Sequence, residues 1–161
     1  MNNATWVVGK RKSRGERGAS VVEFALILPL LLLLLMAIVE LGVLFWVNMT
    51  MQHAVREGAR YAITGRKDLD PNENEDERLR ASAILEKIKI SSLGLYDSVV
   101  IEPVTITDPA GTELPGFGGP GQIVVINLDC SWPLLTPLVR PFFDEGNYNF
   151  KVSSAMRNEN F

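Results

Sequence analysis

The chain has one cysteine, Cys130, and one histidine, His53, in 161 residues. A lone cysteine excludes an intramolecular disulfide, and a lone histidine with no second His or Cys at ligand spacing excludes the usual zinc constellations. Cys130 reads as a buried small hydrophobe, with an intermolecular bridge as the lesser alternative. His53 reads as a polar surface residue. Also missing are a glycine-rich phosphate loop ending in Lys-Ser/Thr and a Gly-x-Ser-x-Gly turn. No catalytic residue, metal site or cofactor is therefore assigned, and the chain reads as a non-enzyme. The net charge of −3 offers no footprint for nucleic acid.

Charge is unevenly placed. Lys10, Arg11, Lys12, Arg14 and Arg17 stand near the start against Glu16 alone, whereas residues 48–161 hold 11 Lys and Arg against 16 Asp and Glu. Between these regions lies what the chain has in abundance. Phe24–Val39 carries no charge and includes the run Leu30–Leu35, and the apolar character resumes after Glu40 as far as Val47. A bilayer core needs about 20 helical residues, and a removable signal has an apolar stretch of only about 7–15 followed by a small-residue cleavage site. A transmembrane helix is the better reading. The excess of Lys and Arg on its N-terminal side favours a short cytoplasmic N-terminus and an exported body.

Three residues are unusual for a plain anchor. Glu23 begins the apolar helix, Pro29 lies six residues on, and Glu40 stands near the far end. A carboxylate deep in a bilayer costs about 2.5–3.5 kcal/mol on insertion scales. The simplest reading hydrates both at opposite membrane surfaces, while Pro29 and Glu40 are also taken, with the small residues further along, as candidate helix-packing positions. Pro29 removes one helical hydrogen bond and predicts a kink or a local loosening.

The stretch Arg17-Gly18-Ala19-Ser20-Val21-Val22-Glu23-Phe24 resembles a type IV prepilin cleavage site, in which the peptidase cuts after the glycine. The resemblance makes Ala19 the new N-terminus and Glu23 the fifth mature residue. A cut there places an α-ammonium at the membrane face, where Glu23 of a neighbouring subunit can pair with it, offsetting the burial of both charges and fixing the stagger between helices. Extended through Ala25-Leu26-Ile27-Leu28-Pro29-Leu30-Leu31, the string resembles the TadE-like family of tight-adherence (Flp) pilus assembly proteins. Glu40-Leu41-Gly42, the segment Ala54–Ala62 and the short stretch Ser154–Glu159 agree with it. The resemblance implies a pilin-like architecture, processing by a prepilin peptidase, and other pilins or pseudopilins with their assembly platform as partners in a bacterial inner membrane.

The helix is predicted to continue to about residue 64. Ala54, Gly58 and Ala62 then share a face on which another backbone can approach closely, either a partner helix or the body's own sheet. Asp68–Glu77 is an acidic connector. Its Asp68-x-Asp70-x-Asn72 pattern superficially matches a calcium loop, but Glu73 and Leu79 occupy the positions that need glycine and a bidentate glutamate. A helix start fits better, with Asp70 as N-cap, Pro71 first and Glu73 closing a capping box. Ala81, Ile84, Leu85 and Ile88 follow at helical spacing, and Gly94 is a natural terminator.

Strands are predicted at Val99–Ile106, Ile123–Trp132 and Tyr148–Ala155, with Pro103 marking an edge or a bulge. Five glycines and three prolines make Asp108–Gly121 a mobile loop. In the connection Trp132–Asn147, the apolar Leu134, Leu135, Leu138, Val139, Phe142 and Phe143 either cover the sheet, which is favoured, or form a docking surface.

The reading is an α+β chain: a basic leader over 1–18, a transmembrane and extended helix over 19–66, and an exported head with an antiparallel sheet over 67–161. A minor pilin or pseudopilin leads. The alternative is an uncleaved membrane-anchored adaptor or sensor with an exported binding head.

Overall fold

A computed structural model describes residues 15–74, 78–137 and 139–160, with the backbone alone described for 15–19, 102 and 144. The leader before residue 15, Glu75–Glu77 and Leu138 lie outside the described residues. The elements are helix α1 (Gly15–Ile63), helix α2 (Arg80–Ser91), one turn of helix α3 (Tyr96–Val99), strand β1 (Val100–Thr107), strand β2 (Ile123–Pro133), two short 3-10 turns (Arg140–Phe142 and Asp144–Gly146) and strand β3 (Asn147–Arg157). The predicted long helix followed by a small antiparallel sheet is what forms.

Two compact units make up the chain, one ending at Ile38 and the other spanning Val39–Phe161. In the first, α1 runs unbroken through Pro29, and its large apolar side chains from Val21 to Val39 are exposed except for half-buried Leu28. Among the described residues this is the one helix long and apolar enough to cross a bilayer.

In the second unit, the C-terminal half of α1 joins the head. Val47, Met51, Ala54, Val55, Ala59 and Ala62 recur at helical spacing and are buried in one core with Ile84 and Ile88 of α2 and the inner face of the sheet. The sheet is antiparallel in the order β1-β2-β3. Along β2 the alternate residues Val124, Ile126, Leu128 and Cys130 are buried, the period-two signature of a sheet with one covered face. Pro103 lies in the edge strand β1, where the register shifts between Ile101 and Thr105. An edge strand tolerates the missing N–H that a central strand would not.

The helix start expected at Asp70–Glu73 does not form, and α2 begins at Arg80. Asp70 instead closes a tight turn by accepting from Asn72 N at 2.8 Å, and its other oxygen accepts from Leu79 N at 2.5 Å. Asp side chains suit such turns for the same reason they suit N-caps, a short acceptor within reach of nearby backbone donors. The other end of α2 behaves as expected. Leu93 and Gly94 both have positive φ and turn the chain away after Ser92.

Candidate functional site

The residues singled out in the sequence fall at three levels of α1. At its start, Gly18 and Ala19 lie within the helix, and Glu23 and Phe24 are exposed one turn later, followed by exposed Pro29. These positions are consecutive on an apolar rod, so their chemistry is that of a helix end with one carboxylate.

At the second level Glu40 departs from the hydrated reading. It is only 4% exposed. Its Oε1 accepts from Leu135 N at 2.9 Å, and its Oε2 accepts from both Thr136 N and Thr136 Oγ1 at 2.7 Å. Glu40 thus clamps the β2–β3 connection, with three donors replacing water around the carboxylate. The loop is built to hold this geometry. Leu134 N donates to Gly146 O at 3.0 Å, closing residues 134–146 into a ring, and Arg140 Nε donates to Leu134 O at 2.9 Å inside it. Gly146 has φ 74°, and a Cβ there would press on the Arg140 stem.

The apolar residues of this loop do not share one environment. Leu134 is buried, but Leu135, Phe142 and Phe143 are exposed, Phe142 at 82%. Among the described residues of this loop only Leu134 is buried and Val139 is half-buried, and neither joins the core under the sheet, so the expected cover does not form. The loop is a short ring pinned at its two ends, and so small a ring turns only part of its side chains inward.

At the third level Ala54, Gly58 and Ala62 are all buried. A Cβ on Gly58 would overlap the Ile88 side chain, so the small residue admits α2 against α1. The seam is used within the head. Beyond it lies a junction that the sequence did not reveal. Arg80 donates to Ala62 O (2.8 Å), Gly118 O (2.6 Å) and Asn158 Oδ1 (2.9 Å). Asn158 Nδ2 in turn donates to Phe117 O and Gly119 O, and Glu159 N donates to Ile63 O. Carbonyls left over at the end of α1 are thereby satisfied. The loop Asp108–Gly121, expected to be mobile, is tied down here and buries Phe117. The one available signal was the short stretch Ser154–Glu159, which contains Asn158.

Two minor readings hold. Cys130 is buried, and burial pushes its thiol up to about 12, far from the thiolate needed for exchange. His53 is exposed. In the acidic connector Asp68 is taken by Tyr61 Oη and Arg66, and Asp70 by backbone donors, so these carboxylates serve the chain's own groups.

One N-terminal apolar helix of bilayer-crossing length, continuing into an α+β head, fits the class of proteins held by a single membrane anchor. Residues 18–60 match the model of the family described as TadE-like protein. The match spans Gly18, Glu23, Pro29, Glu40, Ala54 and Gly58 and stops just short of Ala62. That family suggests a component associated with the tight-adherence pilus. Neither the curated proteins nor the solved structures compared with the chain give a match.

Proposed function

We propose that the chain is a minor pilin or pseudopilin of a tight-adherence type IV pilus or related secretion system, with a structural rather than catalytic part in assembly. A prepilin peptidase cuts it after Gly18. The observation that carries this reading is Glu23, an exposed carboxylate five residues after Gly18 at the head of an exposed apolar helix. Cutting before Ala19 leaves an α-ammonium about 6 Å of helical rise from Glu23. Next to lipid, two opposite charges on neighbouring helices neutralise one another, which places each helix in register with the next. The apolar stretch to Val39 faces lipid before assembly and other pilin helices after it. The partners are the peptidase, other pilins or pseudopilins and the assembly platform. The N-terminus is cytoplasmic and the head is exported across the bacterial inner membrane.

The test compares precursor and mature forms in cells carrying the secretion system. Gly18→Val is expected to retain a species about 18 residues longer than the wild-type product. Glu23→Ala is expected to be cut and inserted normally but to lose incorporation or pilus-dependent adhesion. Identical masses for wild type and Gly18→Val would instead support an uncleaved tethered adaptor or sensor.

A further inference from the structure

The seam between α1 and α2 has a rim as well as a core. Gly58 admits the Ile88 side chain. Their chain neighbours Glu57 and Lys87 flank that contact, and both line a cavity of about 200 Å³. Arg60 and Tyr61 from the last turn of α1, Thr64 just past its end and Arg66 complete the lining. Tyr61 is buried and held by its hydroxyl, which donates to Asp68 Oδ1 at 2.8 Å and accepts from Leu69 N at 3.3 Å. Arg66 lies over the Tyr61 ring, 5.9 Å from its centroid, and gives Asp68 two bonds of 3.0 Å. Tyr61 and Arg66 are thus committed within the chain and form a fixed wall.

Arg60, Lys87 and Glu57 are not committed. Among the described residues none of the three makes an ion pair or a side-chain hydrogen bond. The C-terminal end of a helix favours a cation, which accounts for Arg60 in the last turn of α1. It does not account for Lys87, which precedes the last turn of α2 and is half-buried. A half-buried ammonium with no acidic partner loses part of its hydration with no opposite charge to replace it. The three uncommitted groups are two cations and one carboxylate, so the cavity is left with one positive charge. A single carboxylate neutralises it. Arg60 offers a planar fork of N–H donors that matches the two oxygens of a carboxylate, and Lys87 adds a point charge. A phosphate monoester carries about 1.5–2 negative charges at pH 7, and Glu57 opposes the excess.

We infer that this cavity is a socket for a carboxylate side chain presented by another protein, which Arg60 and Lys87 pair with and Glu57 limits to one negative charge. The occupant is an acidic peptide segment with one Asp or Glu at the contact. A charge contact of this kind selects the partner and fixes the side of the head that it meets, more than it adds affinity. The inference concerns the head alone and holds whether or not the segment before Ala19 is removed.

The test titrates acetyl-Gly-Glu-Gly-amide into the 15N-labelled full chain in dodecylmaltoside micelles. NMR follows the Arg60 side-chain N–H and the Tyr61, Thr64 and Lys87 amides, and the amides of β2 and β3 report that each variant is folded. Saturable shifts confined to the socket are expected, with none from the Gln analogue of the peptide. Arg60→Gln and Lys87→Gln should each weaken binding severalfold, and Glu57→Gln should strengthen it severalfold. Lys151→Ala, on β3, should leave it unchanged. Equal shifts with the Gln analogue, or binding that Arg60→Gln and Lys87→Gln leave intact, would overturn the socket. Tighter binding of inorganic phosphate than of the peptide would show that Glu57 sets no charge limit and overturn the carboxylate assignment. Saturation by dihexanoylphosphatidylglycerol alone would make the occupant a lipid phosphate and equally overturn it. None of these outcomes bears on cleavage after Gly18, which the precursor masses test separately.

Discussion

The two halves of α1 are built from similar apolar residues and meet different surroundings. From Phe24 to Val39 the helix carries no charge and its large side chains, Leu28 apart, are exposed, which suits lipid but not water. From Glu40 onward one side is buried, with Val47, Met51, Ala54, Val55 and Ala62; the other exposes Leu41, Phe45, Trp46 and Met49 first and turns polar only further on, at Arg56 and Arg60. In the first half apolarity adds no buried core within the chain and is consistent with a membrane anchor. In the second the same residue types contribute to folding the head. Glu40 stands at the change, its charge held by a loop about 95 residues away in sequence.

The sharpest way to break this contrast is to truncate one apolar residue in each region and follow unfolding of the head in detergent micelles. Ile126→Ala, in the centre of the core, is expected to cost about 3–4 kcal/mol through lost burial and a residual cavity. Leu32→Ala, in the exposed stretch, is expected to leave the head's unfolding unchanged. Equal losses would mean that the first half also packs within the chain.

The next effect concerns the boundary. Glu40→Ala strands the Leu135 and Thr136 donors and is expected to destabilise the head by about 2–3 kcal/mol in denaturant titrations. Amide exchange should rise first in residues 134–146. Unchanged protection of Thr136 would show that the clamp contributes nothing. The seam gives a smaller change. Gly58→Val is expected to cost about 1–2 kcal/mol, because overlap with Ile88 outweighs the gain from removing a helical glycine. Pairing it with Ile88→Ala should recover part of that loss, since the two changes share one space.

The smallest effect is in pH. Backbone N–H groups of Asn72 and Leu79 hold the Asp70 carboxyl below the usual carboxylate range. Its stabilisation is complete above the unfolded-state value and is lost as pH falls through the lower folded value, because over that window the unfolded chain binds more protons. The Tm should therefore drop on acidification below about pH 4, and Asp70→Asn should flatten that part of the curve. A wild-type curve matching that of Asp70→Asn would remove the role given to this carboxylate.

How much of this was legible depended on whether the decisive contact was local. The apolar run, the alternation in β2 and the edge position of Pro103 are set by neighbours in sequence, and they were read from it. The start of α2 was misplaced because Asp70 uses one acceptor for either a turn or a helix cap, and local pattern does not separate the two. Glu40 and Arg80 could not be assigned because their partners, Thr136 for one and Gly118 with Asn158 for the other, come together only when the sheet closes. The ring 134–146 shows the remaining limit. Leu134 and Leu135 are adjacent and identical in composition, yet the first is buried and the second exposed, a difference set by the Leu134–Gly146 closure.

The account depends most on what becomes of the segment before Ala19. Intact-mass measurement with N-terminal sequencing of the chain extracted from membranes of cells with an active secretion system tests this directly. A mature species beginning at Ala19 is the expected result. Native protein still beginning at Met1 would contradict processing, and with it the ammonium that Glu23 is proposed to meet.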